Sequence, residues 1–65
     1  MNTEKLLNLF DNHAGADRVY LDSVNYLKLN FWLAKNDTKY LALYPSYKGI
    51  DIYKVDTQQE HVYFC

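Results

Sequence analysis

Cysteine, proline, glycine and arginine are all scarce in this chain of 65 residues: Cys65, Pro45, Gly15 with Gly49, and Arg18. With a single cysteine no internal disulfide can cross-link it, so it folds on its own apolar burial or with help from a partner. Two isolated glycines cannot form a loop that cradles phosphate. Neither sign of charge dominates, with seven Lys plus Arg against eight Asp plus Glu and a net charge of −1. Such a balance draws neither nucleic acid nor anionic membrane and gives no acidic field that would mimic DNA. Asp51, Asp56 and Glu60 read as a solvated face.

Long apolar runs are missing too. Phe31–Ala34 falls far below the ~20 residues needed to span a bilayer, and Leu6–Phe10 is too short for the core of a signal peptide. Cys65 is not placed as the cysteine of a four-residue prenylation box. The expectation is a cytoplasmic protein, in a host cell if phage-encoded, with a free thiol. That thiol reads as a small hydrophobe finishing the last strand rather than as a reactive group.

Catalytic constellations are also lacking. Neither Ser23 nor Ser46 sits in a nucleophile elbow. His61 and Cys65, on one side of a predicted strand, stand about 13 Å apart along it, too far for one metal. Asp51 and Asp56 read as solvated surface rather than an acid–base pair, and His13 as a cation at a helix end. The sequence thus predicts no enzyme activity, no metal and no cofactor.

The residues present are those of a globular chain, 49% hydrophobic and 23% charged. At this length it forms one domain, residues 1–65, which buries only about 60% of the surface of its unfolded form and is marginally stable. Six Lys, six Asn and seven Tyr have AT-rich codons, which suggests an AT-rich bacterial or viral genome, although only two Ile are present.

Local patterns predict one short helix, Glu4–His13, capped by Thr3 and stopped at Gly15, with Leu6, Leu7 and Phe10 on one stripe. Strands are predicted at Arg18–Leu21, Asn25–Lys35, Lys39–Tyr44, Ile50–Val55 and His61–Phe64. The first is ambiguous, because Val19, Tyr20, Ser23, Val24 and Leu27 also fit a helical stripe. Register favours an antiparallel meander: a three-residue loop, Asn36-Asp37-Thr38, sets Leu33 opposite Leu41, and Pro45–Lys48 sets Leu43 opposite Ile50. The expected fold class is α+β, a two-layer sandwich of one N-terminal helix on a four- to five-stranded antiparallel meander sheet.

With the helix covering the aliphatic side, that sheet leaves Tyr26, Trp32, Tyr40, Tyr44, Tyr53 and Tyr63 on its other side. Three readings compete. Tyrosine is a good residue for an exposed sheet. Tyrosine and tryptophan also dominate protein-binding hot spots. Finally, bases stack on aromatic side chains displayed by a sheet, a mode that needs a basic track, here only Lys28, Lys35, Lys39 and Lys54. The second reading is preferred. The chain is expected to be a small protein-binding module with anchors Tyr26, Trp32, Tyr40, Tyr44 and Tyr53, joined by Tyr47 at a loop tip. The partner is another protein, or a second copy in a homodimer. Nucleic acid is the disfavoured alternative, and no membrane is involved. By analogy alone, such a chain suits an inhibitor of a host defence enzyme encoded by a phage or mobile element.

Overall fold

The computed structural model describes residues 1–65. Its elements are α1 (Thr3–Asp11), β1 (Arg18–Leu21), α2 (Ser23–Asn36), β2 (Ser46–Tyr47), β3 (Ile50–Lys54) and β4 (Val62–Phe64). The class is α+β, with two helices and a four-stranded mixed sheet ordered β2-β3-β1-β4.

Helix α1 follows its apolar stripe, burying Leu6 and Phe10 four residues apart. Its cap is Asn2 rather than Thr3: the Asn2 side chain accepts the Lys5 N–H at 2.8 Å, and asparagine is as good a cap as threonine. The helix closes at Asn12, whose N–H bonds back to the Asn8 and Leu9 carbonyls, and does not continue to Gly15. His13 lies beyond its end, its Nδ1–H donating to the Leu9 carbonyl at 2.8 Å.

The predicted strand Arg18–Leu21 is β1, at the centre of the sheet. It runs parallel to β3, with Val19 opposite Ile52, and antiparallel to β4, with Val19 opposite Phe64. The meander is thereby corrected. Adjacent parallel strands cannot be joined by a tight turn and need a crossover of about a dozen residues or more, usually helical. Helix α2 supplies it, occupying the segment predicted as the strand Asn25–Lys35. Asp22 caps it by accepting the Asn25 N–H at 3.2 Å, and Asn25, Leu29 and Leu33 are buried at intervals of one helical turn.

The predicted strand Lys39–Tyr44 is an irregular descent from α2, turning where the Tyr40 N–H meets the Asp37 carbonyl and the Tyr44 N–H meets the Leu41 carbonyl. Leu43 therefore does not pair with Ile50. The β2–β3 hairpin turns instead on Lys48 and Gly49, both with positive φ (52° and 78°), which sets Tyr47 opposite Ile50. Positive φ at both central residues marks the two-residue turn whose twist suits a hairpin.

Leu6 and Phe10 of α1, Leu29 and Leu33 of α2, and Val19, Leu21, Ile50 and Ile52 of the sheet form one buried cluster. The four sheet residues alternate along their strands, so both helices press on the same sheet face. The expected layering holds only in part, since two helices cover that face instead of one. Its other face carries no element.

Candidate functional site

The six expected anchors separate into two groups. Trp32, Tyr40 and Tyr47 are half-buried against the core, as is Tyr26, which also lines a cleft with Tyr44 and Tyr53. Trp32, on α2, meets Tyr47 edge to face, with ring centroids 5.8 Å apart, and Tyr47 meets the buried Phe10 in the same way at 5.3 Å. Tyr47 is thus cover for the core rather than a free loop tip. The Tyr40 hydroxyl donates to Asn30 Oδ1, and burial, with Tyr26 beside it, raises the pKa of this phenol above its ordinary value. Tyr26, Trp32, Tyr40 and Tyr44 do not lie on strands, so the expected six-residue aromatic sheet face is not formed.

Tyr26, Tyr44 and Tyr53 come together from three separate parts of the chain. With Leu43, Pro45, Asp51, Ile52 and Lys54 they line a cleft of about 250 Å³. The cleft opens where the chain before β2 leaves the edge of β3. Pairing of β2 with β3 ends at Ser46 opposite Asp51. The Pro45 carbonyl still accepts the Ile52 N–H at 3.0 Å, and the chain then turns away, with Leu43 and Tyr44 left 86% and 78% exposed.

Tyr53 also belongs to a second aromatic group, on the uncovered face of the sheet. Tyr20 stands opposite Tyr53 in β3 and Tyr63 in β4. The three rings lie side by side, centroids 5.5 and 6.5 Å apart. Arg18 Nη1 donates to the Tyr20 hydroxyl at 3.3 Å, and that bond is the main cause of a raised Arg18 pKa. Asp51 faces Arg18 across the strands. Sequence reasoning left Tyr20 out of the aromatic face, although the signal was there: Tyr20 alternates with Val19 and Leu21. Leu43, expected opposite Ile50 on the aliphatic sheet face, lies off the sheet in the descent to β2.

No group of three or more His, Cys, Asp or Glu side chains converges anywhere, and no helix is long and apolar enough to cross a membrane. What the cleft and the tyrosine row offer chemically is apolar area and hydroxyls held on strands, a turn and α2, with one carboxylate (Asp51) and one ammonium (Lys54) beside them. No family model, curated protein or solved structure matches this chain significantly.

Proposed function

We propose that this chain is a non-enzymatic protein-binding module that docks through the tyrosine-lined cleft at the β3 edge and the tyrosine row beside it. The observation that carries this reading is the exposure of Leu43 and Tyr44 next to a preformed cleft. Apolar and aromatic side chains held in water around a concavity mark interaction surfaces, and tyrosine brings large rigid area with few torsions to freeze. Its test is affinity capture from the source cell by the wild-type chain and by a Tyr44→Ala/Tyr53→Ala double variant. A partner retained by the first and lost by the second, with both variants folded, supports the proposal; equal capture by both sinks it. The narrower reading, an inhibitor of a host defence enzyme encoded by a phage or mobile element, draws support from chain size and composition alone.

The row of Tyr20, Tyr53 and Tyr63 with Arg18 favours one second reading, single-stranded nucleic acid stacked on the sheet, at roughly 1–3 kcal/mol per base. Asp51 opposite Arg18 and the net charge of −1 weigh against it. Affinity for oligo(dT) that falls steeply with salt would establish it. A homodimer is the remaining alternative, and sizing with concentration resolves it.

A further inference from the structure

We infer that the outer edge of β3 accepts an added strand: an extended segment of a partner protein, with a bulky apolar side chain for the cleft and a carboxylate opposite Lys54. This rests on the docking reading above and specifies the form of the occupant.

The shape of the cleft is the first argument. Asp51, Ile52, Tyr53 and Lys54 are consecutive residues of β3 and all four line it. Successive strand side chains point to opposite faces, so a cleft lined by all four runs along the edge of the strand rather than over either face. The backbone is the second argument. The Asp51 N–H donates inward to Asp17 and the Val55 N–H to Leu21. Alternation then turns the N–H and C=O of Ile52 and Lys54 outward. The Ile52 N–H is taken by Pro45, but proline has no N–H to return to the Ile52 carbonyl. Had β2 continued, Leu43 would lie opposite Lys54; instead the chain turns back, the Tyr44 N–H bonding to Leu41. An unpaired edge of this kind is a template for another strand. In strand addition the main chain gives affinity, and pockets for alternate side chains give specificity.

Charge selects the occupant. The salt bridges of the structure are Met1–Glu60 and Lys48–Asp11, which leaves Lys54 unpaired. Asp51 lies on the opposite face, in register with Arg18, whose guanidinium donates to the Tyr20 hydroxyl. On the face that Lys54 shares with Ile50 and Ile52 the free charge of this edge is positive, and opposite charges stabilise cross-strand pairs on a shared face. A second copy complements it poorly: on the face in question β3 offers only Ile50, Ile52 and Lys54, and β4 brings Val62, Tyr63 and Phe64, none of them a carboxylate.

The test selects random peptides, displayed as a library, on the immobilised chain. Each selected peptide is then titrated in solution, with amide exchange followed by NMR. Strand addition expects peptides that alternate apolar and polar residues and carry an acidic residue, and protection of the Lys54 amide in the complex. Lys54→Pro deletes the outward donor at an edge where proline is tolerated and should weaken binding about tenfold. Lys54→Glu should reverse the preference for acidic peptides. Should Lys54→Pro fail to fold, methylating alternate peptide amides tests the same bonds on the wild-type chain. Peptides that need Tyr44 and Tyr53 yet leave Lys54 exchange unchanged overturn strand addition and spare the docking reading. Failure to select any peptide overturns both. Mass that grows with concentration, or a preference for oligo(dT) or phosphatidylserine vesicles, overturns the occupant named here.

Discussion

Asp22 shows how much one residue can fix. Its side chain is buried and accepts three hydrogen bonds: from the Asn25 N–H at 3.2 Å, from Asn25 Nδ2 at 2.6 Å and from the His61 N–H at 3.0 Å. Its own N–H donates to the His61 carbonyl. One carboxylate thus starts α2 and ties the approach to β4 back to the end of β1. Asp22→Ala removes a helix cap and leaves buried donors unpaired, and should cost about 2–4 kcal/mol in denaturant unfolding. Burial opposes ionisation of this carboxyl, but the bonds from His61 and Asn25 outweigh it and hold its pKa below the ordinary value. A depressed folded-state pKa adds stability that is fully present above the unfolded value of about 3.9 and is lost as pH falls through the lower folded value. The wild-type chain should therefore lose stability below about pH 4 with a slope that Asp22→Asn flattens, as thermal melts across pH would show.

At the scale of elements, α2 explains why strand prediction failed there. Its buried face carries Asn25, Leu29 and Leu33, while Val24, Leu27 and Phe31 are exposed. Lys35 caps the exposed Phe31 ring, with Nζ 4.3 Å from its centroid. A helix with apolar residues on two opposite sides places Leu27, Leu29, Phe31 and Leu33 at every second position, which mimics strand alternation. Contrary signals were present: a capping aspartate at position 22 and 14 residues without glycine or proline, long for a strand. Trp32 follows from the same correction. Because it packs on Tyr47 above the core, Trp32→Ala should destabilise the fold by about 1–3 kcal/mol, in contrast to the near-neutral effect expected for a free anchor. Leu29→Ala, at a fully buried position, should cost roughly 2–5 kcal/mol. In the β2–β3 hairpin Gly49 has φ 78°, and a Cβ there would meet nothing within 4 Å. Gly49→Ala should thus cost about 1–2 kcal/mol, all of it backbone conformation. Chemical denaturation of the three variants checks these values.

Across the whole molecule, the residues that hold the fold together and those proposed for docking are largely different. The core cluster contains neither Leu43 nor Tyr44, and surface changes away from special features stay within about 0.5 kcal/mol. Leu43→Ser and Tyr44→Ala should therefore leave the unfolding midpoint unchanged while weakening partner binding, by about 2 kcal/mol for a hot-spot tyrosine; melts beside titrations separate the two. Of the candidate site, Tyr53 was legible because its strand is real and it alternates with Ile50 and Ile52. Tyr26 and Tyr44 were named on the wrong elements, and the convergence of all three was not readable. It depends on where α2 and the descent to β2 meet the edge of β3, a distance between segments remote in sequence.

Local order was set by the chain itself. Caps and stripes made α1 a helix, alternation made β1, β3 and β4 strands, and a glycine beside a lysine turned the hairpin. These outcomes depend on neighbours a few residues apart, whose sterics and hydrogen bonds are written in the sequence. Tertiary structure alone decided that β3 returns parallel to β1, and with that decision residues 23–36 had to rise as a crossover helix. Their two-sided apolar pattern suited either period, and the face available for burial against β1, β3 and α1 selected the helix.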